Sequence, residues 1–168
     1  MDVSKLSENY QVRRLDKNDV SAVLALCGKN SLYYRHCPPA PSEESVLRDM
    51  EALPPGKTLS DKYYCGYFRD GALAAVLDLI VAYPDETMAF IGFFMTDVSV
   101  QNRGTGSAIV EELCAFLRGE GFGSVRLGWV KGNPQAEHFW RKCGFTETGV
   151  SYETDGYTVI VARRDLQS

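Results

Sequence analysis

Between Tyr63 and Val100 the chain doubles back on itself twice, and this meander limits the possible architectures more than any other segment. Tyr63 to Arg69 is short and aromatic, and Asp70-Gly71 is a pair suited to a tight hairpin turn. Ala72 to Tyr83 reads as the return strand, Pro84-Asp85-Glu86 turns again, and Thr87 to Val100 runs back. Three antiparallel strands need cover for their apolar faces, and helices are the usual source.

The flanking segments supply them. Tyr10 to Leu15 reads as a first strand. Asp16 to Asp19 opens a helix carrying Val20, Val23, Leu24 and Leu26 at helical spacing, with Gly28 as its stop. Leu32 to Pro41 contains three prolines and cannot form a long helix. Ser42 starts another helix, with Val46, Leu47, Met50 and Leu53 on its apolar face. After Gly104 the period is helical again (Ile109, Leu113, Phe116, Leu117), followed by an apolar strand at Val125 to Val130. A helix begins at Pro134 and runs to about Cys143. Thr146 to Thr154 and Tyr157 to Arg163 form a last hairpin around Asp155-Gly156. The expected class is mixed α/β (α+β): a mostly antiparallel central sheet of about seven strands with about four helices, in one domain over residues 1–168.

Composition excludes several functions. The formal net charge is -4, and no basic run exceeds Arg13-Arg14 or Arg163-Arg164, so a nucleic-acid partner is disfavoured. The five cysteines are widely spaced without a Cys-x-x-Cys pair, so no metal site is expected, and free thiols suit a reducing cytoplasm. No apolar stretch is long enough for a membrane, and Met1 to Arg14 lacks a signal-peptide core.

The most informative segment is Val98-Ser99-Val100-Gln101-Asn102-Arg103-Gly104-Thr105-Gly106-Ser107-Ala108, where a strand feeds a polar glycine-bearing turn that opens a helix. The first N–H groups of a helix have no intrahelical partners, and the helix dipole adds partial positive charge there. Gly104 and Gly106 lack side chains that would hold an anion away, which makes this a pyrophosphate cradle, with Arg103 as an added cation. No Gly-Lys-Ser/Thr follows, as a P-loop would require, and the third glycine of a dinucleotide fingerprint is missing.

Gln101, Gly104 and Gly106 fill the Gln/Arg-x-x-Gly-x-Gly/Ala motif of the GNAT N-acetyltransferase superfamily, and the chain resembles that family here. A second family signature matches downstream, from Asn133-Pro134-Gln135-Ala136 through Phe139-Trp140 to Gly144-Phe145. The resemblance covers nearly the whole chain and is weakest from Ser31 to Asp61. It implies a GNAT fold splayed between strands four and five, and acetyl-CoA (coenzyme A) as cofactor. By resemblance, the pyrophosphate would lie on the main-chain N–H groups of Arg103, Gly104, Thr105, Gly106, Ser107 and Ala108. The pantetheine arm would pair with Val98 and Val100, and Asn133, Ala136, Phe139 and Trp140 would pack near the cofactor. Asn133 also reads as the N-cap of its helix. The partner implied is a primary amine of a small molecule or peptide, and a homodimer is a further possibility the family raises.

Acyl transfer to an amine needs a neutral amine, alignment and a stabilised oxyanion. Asp97 is the candidate base, against the alternative of an outward-facing strand residue, and the N–H of Val98 is the implied oxyanion donor. Many relatives carry tyrosine as acid where Trp140 stands, and an indole donates but is no useful acid. That leaves Tyr152 or water to protonate the leaving thiolate, or a non-catalytic acyl-CoA-binding module. Tyr33, Tyr34 and His36 fall in the segment that corresponds to the variable acceptor region.

Overall fold

The structure is a computed structural model that describes residues 1–167. One sheet runs through it in the order β1-β2-β3-β4-β5-β7-β6, from β1 (Gln11–Arg14), β2 (Lys62–Arg69), β3 (Ala72–Val81), β4 (Met88–Thr96), β5 (Ser124–Val130), β6 (Thr146–Thr154) and β7 (Tyr157–Asp165). Every neighbouring pair is antiparallel except β4 and β5, which run parallel. The hairpin turns sit where the sequence puts them: Asp70 and Gly71, and again Asp155 and Gly156, all have positive φ, as a two-residue turn between twisted strands requires.

Among the described residues five α-helices cover the sheet: α1 (Val20–Gly28), α2 (Ser31–His36), α3 (Glu43–Glu51), α4 (Thr105–Gly119) and α5 (Pro134–Lys142). The extra helix relative to the sequence expectation is α2. Pro38, Pro39 and Pro41 forbid a long helix but leave room for six residues before them.

Side-chain alternation divides the interior in two. On one face Leu77, Leu79, Ala89, Ile91, Leu127 and Trp129 pack against Ile109, Leu113 and Leu117 of α4 and Trp140 and Phe145 near α5. On the other, Tyr64, Val76 and Met95 meet Val23, Leu26 and Cys27 of α1 and Val46 of α3. No helix among the described residues is long and apolar enough to cross a membrane.

The extended backbone of β4 stops at Thr96, four residues short of Val100. Asp97 turns the chain by accepting the N–H of Ser99 (2.9 Å), and Val98–Val100 form one 3-10 turn. The register between β3 and β4 also slips between Asp78 and Leu79, which face Phe93 and Ile91, so Gly92 is an extra residue in a bulge.

Candidate functional site

Beyond Ile91 and Leu127 the parallel strands separate: Gly92 to Thr96 have no partner on β5, and Gly128 to Val130 pair only with β7. A cavity of about 430 Å³ opens along this parting. Phe94, Met95 and Thr96 of β4 line it, with Gly104, Gly106 and Ser107 at the start of α4, and Asn133, Ala136, Phe139 and Trp140 at α5. Among the described residues no carboxylate lines it, and Lys142 adds a cation.

Gly104 takes the left-handed N-cap conformation (φ 79°) with no side-chain cap. The first intrahelical bond is Ala108 N–H to the Gly104 carbonyl at 2.9 Å, so Ala108 is not an anion donor, contrary to expectation. The open donors are the N–H groups of Thr105, Gly106 and Ser107. Gly106 has a second role that its motif does not disclose. A Cβ there would lie 3.0 Å from Cε2 of Phe139 and 3.6 Å from Cγ2 of Thr96, so the missing side chain also lets α5 close on α4.

The loop is tied to the sheet through one carbonyl. Thr96 O accepts from Gln101 Nε2 (3.0 Å) and Asn30 Nδ2 (3.2 Å), and Gln101 Nε2 also donates to Asn30 Oδ1 (2.7 Å). Gln101 therefore fixes where the turn leaves β4. Asn133, 3% exposed, caps α5 by accepting Ala136 N–H at 3.2 Å while lining the cavity, so its cap and cavity roles coexist. Phe94 and Phe139 stack (centroids 6.0 Å apart, planes 15°), and Trp140 packs edgewise on Phe139 and Phe145.

Several expected site residues lie elsewhere. Asp97 is buried but does not line the cavity; it accepts from Lys29 Nζ at 2.8 Å and from Ser99. Burial pushes its carboxyl up, but the Lys29 ammonium and the Ser99 hydrogen bonds outweigh that and hold it below the ordinary carboxylate value, a weak base. Val98 and Val100 are in the 3-10 turn, and Val98 is exposed, so neither offers an extended edge to a pantetheine. Tyr152 is exposed on β6 and does not line the cavity. Arg103 is exposed beside the loop, and Thr105 is half-buried at the first turn of α4.

Of the expected acceptor residues, Tyr33 lines the cavity, edge-on to Phe93. Burial pushes its phenol up, so it remains a neutral donor. Tyr34 does not line the cavity and sits beside Cys27 of α1; His36 ends α2, half-buried and outside the cavity. Asn30 is invisible to a sequence reading because its partner, Gln101, is 71 positions away. Asp78 also escapes that reading, although it is the lone charge in the apolar run of β3, a signal a strand analysis could use.

The model of the acetyltransferase (GNAT) family matches residues 30–145. The chain belongs to the GNAT acetyltransferase family. No curated protein matches this GNAT chain. Among solved structures, an acetyltransferase from Thermus thermophilus is similar at TM-score 0.73 and 20% identity, over 92% of this chain and 95% of that one. Ard1 from Thermoplasma volcanium gives TM-score 0.69 at 20% identity, over 95% and 99%. The PaiA N-acetyltransferase from Thermoplasma acidophilum, crystallised with coenzyme A, gives 0.66 at 18% identity, over 92% and 97%. At these identities the likeness is one of GNAT fold.

Proposed function

We propose that this GNAT chain is an N-acetyltransferase that moves an acetyl group from acetyl-CoA to a primary amine of a small molecule or peptide, by direct attack while both are bound. The observation that carries this reading is that the start of α4, with its open N–H groups, and the parting between β4 and β5 meet at one cavity, which Gly104, Gly106 and Ser107 line and which has no carboxylate among its described residues. The residues fit a coenzyme with an anionic head and an extended amide arm. The α4 donors suit a pyrophosphate, Lys142 adds charge at the same cavity, and the unpaired edge Gly92 to Thr96 suits a chain that hydrogen-bonds like a strand.

When bound, acetyl-CoA supplies an activated acyl thioester. Phe94, Phe139 and Trp140 exclude water from the arm's path, and Gln101 with Asn30 holds the loop to the end of β4. Trp140 serves by packing, not as an acid. The acceptor enters from the α2 side, where Tyr33 reaches the cavity.

A thiol-release assay tests the reading, with polyamines, arylalkylamines, amino acids and peptides as acceptors beside calorimetry with acetyl-CoA. Release above the hydrolysis background with at least one amine is the expected result. Binding without release against every amine indicates an acyl-CoA-binding module, and absence of binding refutes the reading.

A further inference from the structure

The cavity between β4, α4 and α5 has no carboxylate among its described residues, and its one imidazole among them, His138, is exposed on α5. A buried carboxylate with a free oxygen stands on β3. Asp78 sits in the middle of that strand, 9% exposed, with Lys62 of β2 beside it at 2%. Lys62 Nζ donates to Asp78 Oδ1 at 2.7 Å and to the Ala52 carbonyl at 2.9 Å. Oδ2 accepts no hydrogen bond among the described residues. It is also not a sealed atom: Tyr67 Oη is the one buried side-chain polar atom without a partner there.

What Oδ2 faces is Gly92. A Cβ built on Gly92 would lie 2.7 Å from Oδ2, so the carboxylate occupies the space over the bulge, and Gly92 itself is exposed. Gly92 is also the first β4 residue past the last β4–β5 pair, Ile91 with Leu127. The lone oxygen thus stands where the strands begin to part, on the sheet face covered by α1 and α3. Phe93, opposite Asp78, and Tyr33 give this place apolar walls, and Tyr83 with Phe90 extends them along β4.

We infer that Asp78 Oδ2, which stands over Gly92 where β4 and β5 begin to part, is the docking point for the acceptor's primary ammonium. This rests on the transferase reading above. An ammonium there makes a charge-assisted hydrogen bond to Oδ2 while Lys62 keeps Oδ1. One N–H proton then passes to Oδ2, leaving a neutral amine with its lone pair free and Asp78 as the neutral acid. Burial raises the Asp78 carboxyl, and Lys62 opposes the rise, which moves the group toward the range a base needs. The other titratable groups that sense this carboxylate are Tyr64 and Cys65 on β2 and Asp49 on α3; from β4, Gly92 and Phe93 bring none.

The test has two readouts. The first is the Asp78 side-chain 13C carboxyl signal of the whole protein, titrated with tyramine, spermidine and a peptide with a free amino terminus. At least one amine should shift that signal, and the affinity should fall as pH drops through the Asp78 titration. The second is kinetic. Asp78→Asn keeps an acceptor for Lys62, and it should weaken the productive amine about tenfold or more. It should also remove the acidic limb of kcat/KM and leave acetyl-CoA affinity unchanged. Gly92→Ala, which places a methyl against Oδ2 without altering charge, should produce the same loss of amine and decides the matter if Asp78→Asn fails to fold. Wild-type turnover with an amine, unchanged in both its rate and its pH profile in these variants, overturns this assignment alone. A wild-type protein that binds no acetyl-CoA overturns the transferase reading and this inference with it.

Discussion

Gly106 and Phe139 touch across the junction of α4 and α5: a methyl at Gly106 would stand 3.0 Å from Cε2 of the ring. The glycine therefore serves both the anion cradle and the closure of α5 on α4. Gly106→Ala should reduce both thermal stability and acetyl-CoA affinity, because the Phe139 ring must give way. Gly104 separates the two roles, since nothing lies within 4 Å of its would-be Cβ. Gly104→Ala should cost about 1 kcal/mol through its left-handed φ alone. Differential scanning calorimetry beside isothermal titration checks both variants.

Asn133 can be dissected in the same way. Asn133→Asp keeps an oxygen to cap Ala136 N–H but loses the amide donor and adds negative charge at a cavity whose described residues include no carboxylate. Its melting temperature should stay near that of the wild type while acetyl-CoA affinity falls. Asn133→Ala should also lose about 1 kcal/mol of stability with the cap.

Trp140 packs among Phe94, Phe139 and Phe145 and is 8% exposed. Trp140→Ala should cost about 3–5 kcal/mol, measured by chemical denaturation. Trp140→Phe should leave the rate of thiol release within about threefold, because an indole that is no acid leaves no acid to lose. A larger fall in kcat, at unchanged stability, would give the indole N–H a chemical role.

Asp97 should govern acid stability and leave the pH dependence of turnover unchanged. Its folded carboxyl is held below the ordinary value, so its contribution is complete above about pH 4 and is lost as pH falls through the lower folded value. Asp97→Asn should flatten the loss of stability in that acid window and leave the pH profile of turnover near neutrality unaltered. Lys29, half exposed, should give a smaller effect when replaced by Met.

These residues also show what a sequence discloses. Asp70-Gly71 and Asp155-Gly156 announce their hairpins because few residue pairs tolerate positive φ in succession, and the turn from β4 into α4 is legible from Gly104. Backbone features without a compositional mark are not. Gly92 reads as an ordinary strand glycine until pairing with β3 shows it to be the bulge, and nothing in Thr96-Asp97-Val98 announces that the strand ends there. The expectation for Asp97 turns on the same feature. Asp97 follows from its place on an extended strand that in fact stops one residue earlier, whereas Asp78 gains its position only through the register slip between β3 and β4.

The most direct measurement is a 15N amide shift map of the protein titrated with acetyl-CoA. The N–H signals of Thr105, Gly106 and Ser107, together with those of Gly92 to Thr96, should move together and saturate at one equivalent. Shifts confined to other surfaces, or no change at excess ligand, would contradict the placement of the cofactor between the start of α4 and the open edge of β4.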